Sequence, residues 1–183
     1  RVTDQRRRAE LGGPLPRGGA MCPLVAAEAV RAARKIWRGP LWVKMTPQAA
    51  DPAAVAQAVE AEGADAVVCA NTWLGMSIDM ASGKPAFDRV VAGLSGPAIF
   101  PLALRMVWQT AGAVSIPVIG CGGVTTAADC MGMILAGASA VEVGSAFFNN
   151  IGVGETICAG LPELVARYKA ERISELVGFA RKR

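Results

Sequence analysis

The chain has 183 residues, 52% of them hydrophobic and 19% charged, which is enough for one globular domain with a real core. Without histidine, and with five cysteines but no CxxC pair, it cannot form a histidine-based triad and is unsuited to a zinc finger or a disulfide scaffold. No apolar run approaches the roughly 18 residues of a membrane span, so we expect no membrane anchor and a cytoplasmic protein.

The formal net charge of +4 is concentrated at the N-terminus. Residues 1–20 hold five arginines against one aspartate and one glutamate, a net charge of +3, and the rest of the chain is nearly balanced. A folded nucleic-acid binder needs a basic face on its globular part, so no nucleic-acid partner is expected. We interpret residues 1–22 as a divergent or disordered tail and residues 23–183 as the folded domain.

Helix-like and strand-like stretches alternate from Pro23 onward. Asp51 followed by Pro52 is a typical helix start, and Thr126 with Asp129 resembles a capping box. The predicted elements in chain order are a helix over 23–36, a strand over 41–45, a helix over 51–63, a strand over 66–70, a long loop over 73–99, a helix over 101–113, a strand over 117–120, a helix over 126–137, a strand over 140–143, and helices over 162–169 and 174–180.

This alternation predicts a parallel sheet with helical crossovers, either doubly wound or a (β/α)₈ barrel. Four strands are predicted, which is half a barrel. Segments 61–72 and 135–146 align position for position as helix end, glycine, strand and polar or small loop, so the chain reuses one αβ unit.

Glycines follow the last two predicted strands, and in both parallel architectures ligands bind at the carboxyl ends of strands. Gly122 and Gly123 follow the third strand, while Gly144 and Ser145 follow the fourth. Glycine lets backbone N–H groups approach a phosphate, which predicts a phosphate site. Tight turns alone are the alternative explanation.

Polar residues end the first two predicted strands. Lys44 is placed to offer its ammonium to an electron-rich ring, or else to extend into solvent from an apolar stem. Asn71 and Thr72 supply donors and acceptors together, which suits an amide-like or carboxylate-bearing ring, although an Asn-Thr turn is the alternative.

Three further residues stand near the same strands. Cys69 and Cys121 have no histidine or cationic neighbour in sequence, so we interpret them as small core residues. Glu142 lies within an apolar strand and is expected to face a barrel interior or a partner. No metal site is predicted.

The segments "LWVKMTP", "GADAVVCANTWLGMSID", "GLSGPAIFPLALRMV" and "IPVIGCGGVTTAADCMGMILAGASAVEVGSAFF", followed by "LPEL", resemble the C-terminal part of class 1 dihydroorotate dehydrogenases, closest to the class 1B catalytic subunit. The resemblance covers roughly residues 38–180 in order. It implies that residues 23–183 are the C-terminal half, about four βα units, of an FMN-binding (β/α)₈ TIM barrel in pyrimidine biosynthesis.

The resemblance also implies roles for matching positions. Lys44 would contact the flavin ring, Ala70 would line the flavin site through its backbone, and Asn71 and Thr72 would bind the pyrimidine. Five positions would hold the FMN phosphate and ribityl chain, and these are Gly96, Gly122, Gly123, Gly144 and Ser145, the last in place of the more usual threonine.

The implied chemistry is oxidation of dihydroorotate to orotate, in which a base removes a proton from C5 while C6 passes hydride to flavin N5. The family's base is a cysteine or serine in an "NxSCPN"-like segment, which residues 1–20 do not contain. Cys22 lies in "GGAMC" and matches a later stretch, so no catalytic residue is assigned.

The resemblance extends to partners. Class 1B relatives work with an iron-sulfur flavoprotein subunit, which would receive the electrons. Half a barrel leaves two strand edges unpaired, so we expect a homo-oligomer or another chain to cover them.

Two other functions stay open on the sequence. A dihydropyrimidine dehydrogenase barrel also uses FMN and an Asn-Thr pair, although "GMSID" favours dihydroorotate. The other is a non-catalytic half-barrel that binds flavin or another phosphate ligand, or nothing.

Overall fold

The computed structural model describes residues 22–182. The tail predicted over residues 1–22 lies outside the described residues, apart from Cys22. The helices are α1 (Pro23–Ile36), α2 (Pro52–Ala61), α3 (Phe100–Ala111), α4 (Ala127–Ala136), α5 (Ala146–Asn149) and α6 (Val153–Arg167). The strands are β1 (Trp42–Lys44), β2 (Ala66–Cys69), β3 (Trp73–Met76), β4 (Ile78–Asp79), β5 (Lys84–Pro85), β6 (Val91–Leu94), β7 (Val118–Cys121) and β8 (Ala140–Glu142).

Four strands form one parallel sheet, in the order β1-β2-β7-β8. Each helical crossover therefore moves the chain one strand further in the same direction. A doubly wound sheet would reverse direction at a switch point, whereas a barrel does not. Of the two predicted architectures, the observed order is that of half a (β/α)₈ barrel.

The sheet is covered by helices on one face only. Side chains alternate along a strand, so one set of residues faces the helices and the other faces away. The helix-facing set packs into the main core and comprises Val43, Val67, Cys69, Val118 and Val141. The opposite face carries a small separate cluster of Ala66, Val68 and Ile119, with Cys121 packed against it.

Local capping starts two of the sheet-covering helices where the sequence predicts. The Asp51 carboxylate accepts the Ala54 N–H at 3.1 Å at the start of α2. At α4, Thr126 accepts the Asp129 N–H while Asp129 accepts the Thr126 N–H, which is the predicted capping box. These bonds satisfy N–H groups that have no partner within the helix.

The segment predicted as a long loop over 73–99 contains paired strands. β3 pairs antiparallel with β6, and β4 pairs antiparallel with β5, so much of the segment is a hairpin arm. The loop prediction was wrong because the hydrogen bonds of this arm form between strands that are separated along the chain. The local sequence pattern does not reveal such pairing.

Two predictions near the C-terminus also need correction. α6 begins at Val153 rather than near Pro162, which lies inside it, and the buried side chains of Val153 and Ile157 hold the first turns against the core. The helix predicted over 174–180 is two short 3₁₀ turns, because Gly178 adopts a left-handed conformation with φ of 70°. No helix among the described residues has the length and apolar composition to cross a membrane.

Candidate functional site

The carboxyl ends of the four parallel strands bring most of the predicted site residues to one edge of the sheet. Neighbouring strand ends are tied together there by main-chain hydrogen bonds. The Asn71 N–H donates to the Met45 carbonyl at 2.8 Å, and the Ala70 N–H donates to the Cys121 carbonyl at 2.8 Å. The buried Ala70 backbone is therefore held between β1 and β7.

Lys44 and Glu142 form an ion pair across this edge, with Nζ 2.6 Å from Oε2. They lie on β1 and β8, the two outer strands of the parallel sheet. Three strand spacings would separate their main chains by about 14 Å in a flat sheet, so the two long side chains reach toward each other across β2 and β7. They do so on the face that the helices leave uncovered, which is the concave face of a half barrel. The glutamate that we expected to face a barrel interior lies on this concave face.

Cys121 completes the cluster, because its Sγ lies 3.1 Å from Lys44 Nζ. Burial raises the pKa of the Cys121 thiol, and the neighbouring Glu142 adds to that rise while Lys44 opposes it. Burial alone would lower the pKa of Lys44, but the hydrogen bonds to Glu142 and Cys121 raise it. Burial likewise works against the Glu142 carboxylate, yet its bond to Lys44 lowers its pKa.

The two cysteines that we predicted as core residues differ in their surroundings. Cys69 is fully buried on the helix-facing side, where its Sγ lies 3.5 Å from Thr110 Oγ1, and burial raises its pKa to about 11. Cys121 is only partly buried and contacts a cation. The prediction is thus right for Cys69 and right only in part for Cys121, which packs against the small apolar cluster of the opposite face but also contacts Lys44, 77 residues away in sequence.

Gly122 and Gly123, which follow β7, are held against the start of α3. A Cβ atom on Gly123 would lie 2.6 Å from the Phe100 nitrogen, and one on Gly122 would lie 3.0 Å from the Ala103 Cβ. Gly123 also has a φ of 75°, which other residues rarely adopt. Close packing alone is therefore enough to require glycine at both positions, but this packing does not involve their main-chain N–H groups.

Gly144 differs from the two glycines after β7. No atom lies within 4 Å of the position that its Cβ would take, and its φ is not positive. Neither packing nor backbone conformation therefore requires glycine here. A side chain at this position would extend into open space beside the strand end. Glycine keeps that space unoccupied.

Main-chain N–H groups are free at both strand ends. Among residues 22–182, those of Gly122, Gly123, Gly144 and Ser145 have no protein acceptor. The start of α4 is different, because the Asp129 carboxylate accepts the two N–H groups there. The negative charge of that carboxylate makes this part of the edge less favourable for an anion than the glycine turns.

Gly96 lies immediately before the 3₁₀ turn Pro97–Ile99 that leads into α3. It has a φ of 100°, nothing lies within 4 Å of its Cβ position, and its carbonyl accepts the Ile99 N–H at 3.2 Å. The turn that begins there leads directly into Phe100, which contacts Gly123. Gly96 is thus connected to the glycines after β7 through the start of α3.

Asn71 and Thr72 follow β2 and are both exposed. The Asn71 side-chain oxygen accepts the Thr72 N–H at 2.9 Å, which is the local turn contact that we gave as the alternative to ligand binding. Thr72 also lines a cavity of about 600 Å³ formed largely by the hairpin arm, including Phe87 and Asp88. The Asn71 amide nitrogen and the Thr72 hydroxyl donate to no described residue.

The edge therefore combines a partly neutralised ammonium, free main-chain donors and exposed amide and hydroxyl groups. Such a set suits an anionic ligand with a polar ring. Among the described residues, no group of three or more Cys, Asp or Glu side chains is placed to hold a metal ion.

Sequence reasoning missed the contact of Lys44 with both Cys121 and Glu142. A charged residue inside the apolar run of β8 was the available signal, and the strand register then pairs Cys121 with Glu142. Local spacing could not reveal Lys44 as the third member, since β1 and β8 are the two outer strands of the parallel sheet and are far apart in sequence.

Known proteins are similar to this chain over most of its length. A family model described as dihydroorotate dehydrogenase matches residues 20–165. The chain is 46% identical over 156 residues to the dihydroorotate dehydrogenase B (NAD(+)) catalytic subunit of Pelobacter propionicus, covering 85% of the chain and 51% of that relative. It is 45% identical over 156 residues to the subunit of the same name from Alkaliphilus oremlandii, with 85% and 52% covered.

A solved structure shows the same fold. The crystal structure of DHODH in complex with ferulenol from Eimeria tenella superimposes with a TM-score of 0.72 at 20% identity, covering 89% of this chain and 50% of that one. The chain spans about half the length of the curated relatives it matches, and the matched part is their C-terminal half.

Proposed function

The chain belongs to the dihydroorotate dehydrogenase family, and on that premise we propose that it forms the FMN- and pyrimidine-binding half of an oxidoreductase that converts dihydroorotate to orotate. The observation that carries the proposal is the pair of glycine turns after β7 and β8. Their main-chain N–H groups are free among the described residues, and the space beside Gly144 is open. Free amides of this kind are suited to a phosphate group.

The residues present fit FMN on this observation. Gly122, Gly123, Gly144 and Ser145 would hold the phosphate and ribityl chain, and Lys44 would place its ammonium against the flavin ring. Bound FMN would supply an acceptor for the two electrons that dihydroorotate loses. A cation beside the ring stabilises negative charge there, which is what the position of Lys44 offers.

Asn71 and Thr72 are proposed to hold the pyrimidine. The Asn71 amide and the Thr72 hydroxyl offer donors together with acceptors, as the imide and carboxylate of orotate require. The turn contact between the two residues uses only one lone pair of the Asn71 oxygen. That contact orients the amide and leaves its nitrogen free for a ligand.

Binding without turnover is the second candidate function. The sequence contains no match to the segment that supplies the base in this family, and no described residue is assigned that role. Where turnover occurs, we propose that an iron-sulfur flavoprotein subunit receives the electrons. The name of the curated relatives, a catalytic subunit, supports a partner subunit of some kind.

A second copy of the chain is proposed to cover the edges of β1 and β8, which pair with no other described strand. Two four-stranded sheets of this order would complete eight strands, with β8 of each copy beside β1 of the other. Trp42 supports this arrangement. It lies two residues before Lys44 on β1 and therefore on the same concave face, yet 61% of its surface is exposed. Analytical ultracentrifugation should show a dimer, and a monomer at all concentrations would contradict it.

FMN binding tests the proposed function directly. Titrating FMN with the 183-residue chain should quench flavin fluorescence at saturation, and Gly144→Val should weaken binding about tenfold or more by filling the open space. Gly152→Ala is the matched control, because its φ is −86° and its new Cβ would make only an ordinary contact at 3.5 Å.

Substrate specificity is tested on the FMN-loaded chain without oxygen. Bleaching of the flavin by dihydroorotate, but not by dihydrouracil, is the expected result for a dihydroorotate dehydrogenase. Bleaching by dihydrouracil alone would favour a dihydropyrimidine dehydrogenase. If orotate perturbs the flavin spectrum and neither reductant bleaches it, binding without turnover is the function. A chain that binds no FMN would end the proposal.

A further inference from the structure

Glu142 is an acidic residue in a site whose proposed ligand is itself an anion. It lies at the end of β8 on the concave face, between Val141 and Val143 in sequence. Its contact in the structure is Lys44, at 2.6 Å from Oε2. A carboxylate at this point repels an anionic ligand unless it is paired with a cation. Its pairing with Lys44 therefore indicates that it has a physical role in the site.

In the structure the Lys44 ammonium is paired with this carboxylate. A lysine side chain has four rotatable bonds and a mobile ammonium, and 42% of the Lys44 side chain is exposed. Its ammonium is drawn across two strands toward Glu142 and Cys121, rather than outward into solvent. Lys44 is thus ion-paired on the concave face, and its contact with an electron-rich ring stays a prediction.

We propose that Glu142 is a positioning residue that holds the Lys44 ammonium over the concave face and, by its own charge, lowers the midpoint potential of bound FMN. The proposal rests on the proposed function, in which Lys44 faces the flavin ring. Cys121 is the third member of the cluster and reports on it, because its sulfur lies 3.1 Å from the same ammonium.

The sign of the effect follows from charge. Two-electron reduction of FMN with uptake of one proton leaves one additional negative charge on the flavin. A nearby ammonium stabilises that charge and raises the midpoint potential, whereas a carboxylate paired with the ammonium cancels part of the gain. Glu142→Gln keeps the side-chain shape and removes the charge, so it should make the midpoint potential more positive.

The first experiment needs no flavin. Cys121 alkylation by iodoacetamide depends on its thiolate, and mass spectrometry distinguishes it from the other cysteines. The titratable groups around it are Lys44 on β1, Cys69 on β2 and Glu142 on β8. Since Glu142 raises the pKa of Cys121 and Lys44 lowers it, Glu142→Gln should speed alkylation about two- to fivefold and Lys44→Met should slow it.

The second experiment uses the FMN-loaded chain. Dithionite reduction against a reference dye gives the midpoint potential, which should be more positive in Glu142→Gln than in the unchanged chain. Glu163→Gln is the matched control, because it removes the same charge from the exposed Arg167–Glu163 pair on α6. It should change neither the potential nor Cys121 alkylation.

The outcomes separate this inference from the proposed function. Glu142→Ala removes the acceptor of Lys44 as well as the charge, so Lys44 should leave Cys121 and the faster alkylation seen in Glu142→Gln should be lost. Equal alkylation rates in Glu142→Ala and Glu142→Gln would overturn the positioning role, with or without FMN binding. If Glu142→Gln changes Cys121 alkylation but leaves the midpoint potential unchanged, the proposed effect of Glu142 on bound FMN is overturned. If the chain binds no FMN at all, the proposed function fails, while the alkylation rates still decide whether Glu142 holds Lys44.

Discussion

Gly123 lies directly against the main chain of Phe100, so that a Cβ atom at Gly123 would come within 2.6 Å of the Phe100 nitrogen and 2.7 Å of its Cα. The contact joins the turn after β7 to the first residue of α3. Main-chain atoms cannot move aside as the end of a flexible side chain can. The close approach therefore requires glycine at position 123 for packing, in addition to the phosphate-binding role that we propose for it.

Replacing Gly123 by alanine should destabilise the fold. The new Cβ would clash with Phe100, and the φ of 75° would be strained, for a combined cost of about 2–4 kcal/mol in the free energy of unfolding. Urea denaturation measures this cost. Gly144→Ala is the contrasting variant, because its Cβ meets nothing within 4 Å, and it should stay within about 0.5 kcal/mol of the unchanged chain.

The capping box of α4 should give a pH-dependent contribution to stability. Burial alone would raise the pKa of Asp129, but hydrogen bonds from Thr125 and Thr126 lower it below the ordinary 3.8. A carboxylate with a depressed pKa in the folded state stabilises above its unfolded pKa, and that stabilisation is lost as pH falls through the folded value.

Asp129→Asn should therefore lower the free energy of unfolding by about 1 kcal/mol near neutral pH. The difference from the unchanged chain should shrink as pH falls below the ordinary aspartate value, which urea unfolding at several pH values would show. Asp88→Asn at an exposed position is the control and should show no such convergence. A difference that grows toward acid would contradict the assigned role.

Cysteine reactivity should follow burial. The pKa of Cys69 is raised to about 11 by burial, so at neutral pH its alkylation should be about a hundredfold slower than that of an ordinary thiol. Cys22 and Cys158 are exposed and should react first. Early labelling of Cys69 under native conditions, detected by mass spectrometry, would show that the helix-facing core opens more readily than its packing implies.

Core packing under the sheet should be sensitive at Met133. This side chain is fully buried on α4 and lies over Gly120 of β7, where a Cβ would come within 3.1 Å of its sulfur. Met133→Ala should cost about 2–5 kcal/mol, because it leaves a cavity that the glycine cannot fill. Met80→Ala, at a side chain that is 88% exposed, should change unfolding by no more than about 0.5 kcal/mol.

Signals that act over a few residues predicted the structure well. The residues that cap α2 and α4 lie within four positions of the N–H groups they satisfy, and α1 has the predicted bounds of Pro23–Ile36. The helix through Pro162 is the exception. Proline lacks an N–H and normally disfavours a helix interior, but burial of Ile157 and Val153 outweighs that local preference.

The sequence by itself determined the order of the four parallel strands and of the helices between them, the place of the glycine turns at the strand ends, and the family of the chain, because each is carried by short segments of neighbouring residues. Tertiary structure alone decided that Lys44 meets Glu142 and Cys121, that residues 73–99 include a paired arm, and that Gly123 is held by packing whereas Gly144 is not. These relationships arise from contacts between segments that are distant in sequence, and no local pattern encodes such contacts.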